Sequence, residues 1–216
     1  MIAVTIPRKF FTLRDLLPFR FNFADIEEGW VTIKRKDASL SDDEMVQLTR
    51  KNNKEFSSII RRYQDALLRY ITLSFCDNHT ATSLIQEIFV TAYVNLNEYD
   101  GSIPFSSWIY RIAHKEIVEK LKEPQYSQEQ NCDSSHFEKM VKGIITALPD
   151  CEHYTLPQIV YSLKRLQEKR LDIIVLKYSE GKSSQEISDI MELKHEAIKT
   201  LMLLAEDDIH QYLFSI

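Results

Sequence analysis

The sequence predicts an all-α protein built as two small helical domains joined by a linker, and three observations lead there. Glycine and proline are scarce, 4 and 6 in 216 residues, so the chain has few of the breakers that punctuate sheet-rich folds. Apolar side chains recur at three- and four-residue steps, the repeat that lines one face of a helix. A polar stretch rich in Gln, Ser, Asn and Asp interrupts that repeat between 123 and 156, and a chain of this length can hold a small core on either side of it.

Residues 1–38 read as an N-terminal extension in which Phe10, Phe11, Phe19, Phe21, Phe23 and Trp30 are interleaved with Arg8, Lys9, Arg14, Arg20, Lys34 and Arg35. Such a mixture either stacks on single-stranded bases or packs on protein, and both readings stay open. The first domain is expected over 39–122. Ser41, with Glu44 three residues on, forms a capping box that starts a helix. Phe56, Ile59, Ile60, Tyr63, Leu67, Leu68, Tyr70 and Ile71 then line one apolar face. A second helix over 80–96 turns Leu84, Ile85, Ile88, Phe89, Ala92 and Tyr93 inward. A third begins near Pro104 and carries Phe105, Trp108, Ile109, Ile112, Ile117 and Leu121, after a loop of turn-forming residues over 97–104.

The linker spans 123–156, with a short helical stretch over 137–148. The second domain, 157–216, reads as helices over 157–166, 168–180, 184–191 and 195–213.

Composition narrows the function. The net charge of −5 and pI near 5.7 leave no general surplus of cations, so any contact with nucleic-acid phosphates has to be local or assisted. Cys76, Cys132 and Cys151 are odd in number and irregular in spacing, which argues against a disulfide framework and for the cytoplasm. Their pairing with nearby His79, His136 and His153 repeats no familiar zinc spacing, so no metal and no cofactor is expected. The opening residues lack the order of a signal peptide, and no apolar run is long enough to span a bilayer. Phosphate-cradling glycine loops, nucleophile elbows and His-Glu-x-x-His helices are missing, so the chain does not read as an enzyme.

Two blocks carry a resemblance. Ala81-Thr82-Ser83-Leu84-Ile85-Gln86-Glu87-Ile88-Phe89-Val90-Thr91-Ala92-Tyr93, followed by Phe105-Ser106-Ser107-Trp108-Ile109-Tyr110-Arg111-Ile112-Ala113, resembles region 2 of the sigma-70 family of RNA polymerase sigma factors. Residues 181–200, beginning Gly181-Lys182-Ser183-Ser184-Gln185-Glu186-Ile187, are similar to the family's region 4 helix-turn-helix. Together they look like a divergent factor of the extracytoplasmic-function (ECF) type.

The resemblance implies a non-catalytic subunit that binds core RNA polymerase and promotes DNA opening and transcription initiation. It implies that Gln86 and Glu87, braced by Leu84 and Ile85, meet the beta-prime coiled-coil. Tyr99, Phe105, Trp108, Arg111 and Lys115 would serve promoter melting and minus-ten contact, with the three aromatics either stacking on a flipped base or belonging to the core. Lys194, His195, Lys199 and Thr200 would face DNA from the helix-turn-helix. Apolar residues such as Leu163, Leu166, Ile173, Ile174, Leu176 or Tyr178 would bind the beta flap.

The chain departs from the family in two places. Thr82 and Ser83 stand where acids that help dock on a basic partner face are usual, and in the recognition helix Leu201, Leu204 and Glu206 stand where arginines are usual. Between 195 and 212, Lys199 is offset by Glu196, Glu206, Asp207 and Asp208. These losses suggest that promoter DNA is reached through a separate DNA-targeting protein, such as a nuclease-dead RNA-guided effector, with an anti-sigma factor as a further partner. The alternative is a sigma-derived adaptor or anti-sigma-like protein without initiation activity. The run Leu201-Met202-Leu203-Leu204 is either a protein-binding surface or buried in the bundle.

Overall fold

A computed structural model describes residues 40–75, 78–123, 141, 144 and 153–215. The N-terminal extension, the three cysteines and nearly all of the linker with its short helical stretch lie outside these residues. By internal contacts the chain divides into two units, Met1–Ser41 and Asp42–Ile216, and the helices below belong to the second. Regular structure among the described residues is helical throughout, as the periodicity predicts.

Helix α1 (Asp42–Lys51) begins directly after Ser41, with acids in its first turn and bases in its last, an arrangement that suits the helix dipole. The helix stops where polar residues, 50–55, interrupt the apolar repeat. The Asn52 side chain accepts a hydrogen bond from the Lys54 amide at 3.2 Å and opens a single 3-10 turn, Asn53–Glu55, before α2 (Phe56–Ser74). A short polar side chain that satisfies backbone donors two residues on competes with helix continuation. Arg62 and Tyr63 donate to the two carboxylate oxygens of Asp42 at 2.9 and 2.5 Å, tying α2 back to the start of α1.

Helices α3 (Asn78–Asn95) and α4 (Phe105–Leu121) pack against α2. Buried there are Ile59, Ile60, Leu67, Leu84, Ile88, Phe89, Ile109 and Ile117. Phe56 meets Phe89 and Tyr93 edge-on at centroid distances of 6.4 and 5.1 Å.

Helix α5 (Leu156–Lys164) starts with Pro157 in its first turn, and Gln158 Oε1 accepts the Thr155 amide at 2.8 Å. Helix α6 (Glu168–Ile174) does not continue as α-helix to 180 but widens into a π turn, Val175–Ser179. Helices α7 (Ser184–Met191) and α8 (His195–Phe214) start where the sequence places them. Buried among these helices are Ile159, Leu163, Ile173, Ile174, Leu176, Ile187, Ile190, Ile198, Ile209 and Leu213. Arg170 pairs with Asp208, and Tyr178 donates to Glu206 at 2.5 Å, so the acids of α8 are partly engaged inside the fold.

The start of α7 is a capping box. Ser183 Oγ accepts the Glu186 amide at 3.2 Å, and Glu186 Oε2 accepts the Ser183 amide at 2.9 Å. Ser183→Ala is expected to cost about 1 kcal/mol, read as a lower urea midpoint with an unchanged slope.

Candidate functional site

On α3, Leu84, Ile85, Ile88 and Phe89 define the buried face, and positions 86 and 87 fall on the opposite side, where Glu87 is exposed and Gln86 half-buried. The buried face thus fixes the rotation of the helix that presents Gln86 and Glu87 outward.

The loop between α3 and α4 is held at several points. A 3-10 turn, Leu96–Glu98, ends α3, and the Arg50 guanidinium of α1 donates to the Leu96 carbonyl at 3.0 Å and to the Tyr99 carbonyl. The Tyr99 hydroxyl donates to the Ile103 carbonyl at 2.9 Å, and Asp100 Oδ1 accepts the Ser102 amide at 2.8 Å. That backbone hydrogen bond holds the Asp100 carboxyl below its ordinary range. Gly101, at φ 78°, takes the left-handed position between them. Tyr99, Phe105 and Trp108 form one cluster with centroids 5.3–5.4 Å apart. Tyr99 and Phe105 are buried in it and Trp108 is half-buried, so a base that meets this loop has the Trp108 ring within its reach and the other two behind it.

Along α4, the cations expected to face DNA are engaged by α7 and the residue that ends it. Arg111 donates from Nε to the Asp189 carbonyl at 2.6 Å, and its Nη1 lies 3.6 Å from Glu192 Oε1. Lys115 Nζ is 2.8 Å from the other oxygen of Glu192. One turn away, the Tyr110 hydroxyl donates to Glu180 Oε2 at 2.6 Å, Arg69 approaches the same oxygen at 3.6 Å, and the Lys182 ammonium sits 4.8 Å from the Tyr110 ring centre. Burial, and then the Glu180 charge, push the Tyr110 phenol far above its ordinary range, so it stays a donor.

Glu192 ends α7 at φ 55°, in the left-handed region where glycine is the unstrained choice. A non-glycine residue there persists when its surroundings hold it, and here the hydrogen bond from Lys115, with the Arg111 charge behind it, also keeps the Glu192 carboxyl below its ordinary range. Sequence reading picked out Arg111 and Lys115 but not Tyr110, Glu180 or Glu192. The one local signal available was an acidic residue at the turn position of a helix-turn-helix, where glycine would be expected.

His114, between Tyr110 and Lys115 on the buried side of α4, has Nδ1 3.0 Å from the Tyr70 hydroxyl and 3.8 Å from Asp172. Burial is the largest influence on it and holds its pKa below the ordinary 6.5, so the ring is neutral at pH 7. A histidine depressed on folding contributes stability that is complete above about pH 6.5 and is lost as pH falls through the lowered folded value. Urea midpoints measured from about pH 7 down to about pH 5.5 should therefore fall, and His114→Gln should flatten that slope.

At the start of α8, Lys194, Lys199 and Thr200 are exposed and His195 is half-buried with Nε2 2.9 Å from Ser184 Oγ. Lys199 lies 3.3 Å from Glu196, and the Thr200 hydroxyl donates to the Glu196 carbonyl. Leu203 and Leu204 are exposed, with Leu201 and Met202 half-buried, so deep burial of the whole run is excluded. Leu163, Leu166, Ile173, Ile174 and Leu176, expected as flap-binding residues, are instead core, and Tyr178 is half-buried. Amphipathic helices bury the same side chains that a sequence offers as sticky, and periodicity does not say which partner covers them. The exposed large apolar side chains in this part are Tyr161, Leu203, Leu204 and Phe214.

Among the described residues no group of three or more His, Cys, Asp or Glu is placed to hold a metal ion, and no helix is long and apolar enough to cross a membrane.

Residues 59–125 match the family described as Sigma-70 region 2. The chain is 27% identical over 161 residues to the ECF RNA polymerase sigma factor SigW of Bacillus subtilis (strain 168), covering 71% of this chain and 86% of that one. It is 25% identical over 180 residues to the ECF RNA polymerase sigma-E factor of Escherichia coli (strain K12), covering 79% and 93%. In fold it is similar to CnrH, solved in complex with the cytosolic domain of CnrY, with a TM-score of 0.59, 19% identity and coverage of 79% and 95%. It is also similar to the sigma factor RpoE, solved with the anti-sigma factor NepR from Bartonella quintana, with a TM-score of 0.53, 15% identity and coverage of 74% and 97%.

Proposed function

The chain is a divergent member of the sigma-70 family of the ECF type, a non-enzymatic transcription initiation factor, and from that premise we propose that it binds core RNA polymerase through Gln86 and Glu87 of α3 and promotes DNA opening through α4 and the loop before it. The observation that carries this reading is the rotation of α3: Leu84 and Ile85 are buried, and the pair between them and the next core residue, Ile88, faces outward within the region 2 match. The beta-prime coiled-coil is the surface this pair would meet.

Trp108, Arg111 and Lys115 are the groups on α4 suited to minus-ten DNA, the first by stacking and the others by charge. Region 4 would work through exposed Lys194, Lys199 and Thr200, with His195 beside them, and would reach the beta flap through exposed apolar side chains. With so few unopposed cations in α8, sequence choice would come from a separate DNA-targeting protein, such as an RNA-guided effector whose guide supplies base pairing. An anti-sigma factor is a further partner this reading allows, since CnrH and RpoE were solved with protein partners, that of RpoE being an anti-sigma factor. The place of action would be the cytoplasm.

The acids of α8 and the engagement of Arg111 and Lys115 favour one second reading, an adaptor that binds polymerase or another partner without supporting initiation. Co-purification with core RNA polymerase, followed by transcription from random-sequence templates, separates the two. Binding with initiated transcripts supports the sigma reading, binding without transcripts supports the adaptor, and no binding removes the polymerase interface proposed for α3.

A further inference from the structure

We propose that the outward face of α8, with Glu196, Leu203, Leu204, Asp207 and Phe214, is the docking surface for a basic amphipathic helix carried by the DNA-targeting protein. The proposal rests on, and deepens, the reading that a separate protein supplies the choice of DNA sequence. Ile198, Ala205, Ile209 and Leu213 are buried at steps of seven, four and four, and this turns positions 196, 203, 207 and 214 to the opposite side of the helix. Leu203 is 63% exposed and Phe214 80%, with Leu204 beside the stripe at 40%. Glu196 and Asp207 are exposed as well, so acidic and apolar side chains alternate over about 27 Å of one helix face.

The charge of this face disfavours DNA. From 200 to 214 the helix carries three acids and no Lys or Arg. Two of the acids are engaged within the fold, Glu206 by Tyr178 and Asp208 by Arg170, while Asp207 is exposed one turn after Leu203. Lys199, the one lysine of α8, lies 3.3 Å from Glu196. A phosphate backbone laid along the stripe would meet leucine, which donates nothing, and a like charge. A second copy fits no better, because a two-fold contact sets the same patch, and the same acids, against each other.

Large apolar side chains left at the surface beside acids suit a cationic protein partner. Lys and Arg meet both demands at once, since their carbon stems lie along apolar surface while their heads reach carboxylates. A helix is the fitting shape: laid along α8, it would bring an apolar ridge to Leu203, Leu204 and Phe214 and basic flanks to Glu196 and Asp207. Leu204, which stands where arginine is usual, thus belongs to a surface that has exchanged phosphate contact for protein contact.

The test titrates the full chain into two fluorescein-labelled synthetic helices that share one leucine ridge, flanked by lysine in the first and by glutamate in the second, with anisotropy as the readout. Wild type is expected to bind the lysine helix and not the glutamate helix. Leu203→Ser with Phe214→Ser should weaken that binding at least about tenfold, and Asp207→Lys should weaken it and admit the glutamate helix. Urea midpoints should change little, because all three side chains are exposed. Failure of wild type to bind the lysine helix, equal binding of the two helices, or binding that survives the Leu203 and Phe214 change overturns the proposal. If that variant instead loses affinity for duplex DNA or co-purification with core RNA polymerase, the occupant is DNA or the beta flap, and the proposal is overturned in the same way. The reading beneath it fails separately: wild type with core polymerase alone would select one promoter from random-sequence templates, whatever the helices do.

Discussion

The double substitution Gln86→Ala, Glu87→Ala is expected to abolish co-purification with core RNA polymerase, with affinity lowered by at least about 30-fold, or roughly 2 kcal/mol, the scale of an interface hot spot. The reason is geometric. Leu84, Ile85 and Ile88 are locked in the core, so α3 cannot rotate to offer another pair in place of these two. Glu87 is exposed and Gln86 half-buried outside the core, and their loss should lower stability by no more than about 0.5 kcal/mol. Loss of binding with intact stability is the signature to look for in a pull-down run beside a urea titration. Retained binding would move the polymerase contact to another surface.

The second large effect is the reverse case on the same helix. Phe89 is 1% exposed and packs edge-on to Phe56, and Phe89→Ala should cost about 3–5 kcal/mol through lost transfer energy and the cavity left behind. For a domain whose whole stability is about 5–15 kcal/mol, that is a large part of it. Urea or thermal unfolding should show it directly. Any loss of polymerase binding in this variant should scale with the unfolded fraction, unlike the loss in the Gln86 and Glu87 variant.

The all-helical character was readable because each helix buries one face, and a period of three to four residues is a local property of the chain. The start of α7 followed from the helix-turn-helix resemblance over 181–200, and the structure adds the Ser183 and Glu186 cap that holds it there. The π turn at Val175–Ser179 was not readable, because it leaves the apolar repeat nearly intact while changing the backbone path. The face of α3 followed from which of its side chains are apolar. The engagement of Arg111 and Lys115 by Glu192 could not follow in that way, because the partners lie nearly eighty residues apart and their meeting depends on how α7 lies against α4. The same limit explains the flap residues: Leu163, Ile173 and Ile174 were seen as apolar but not as already covered.

The Arg50 clamp on the carbonyls of Leu96 and Tyr99, together with the Tyr99 to Ile103 bond, has a consequence for kinetics. Ordering a loop residue costs about 1–2 kcal/mol of conformational entropy, and here that cost is met when the chain folds, before any nucleic acid arrives. A strand that reaches the Trp108 edge therefore meets a surface already set, with no loop left to arrange. Capture should proceed in one step limited by encounter and by the opening of the DNA, and cutting the clamp with Arg50→Ala should show as a slower association rate with dissociation little changed.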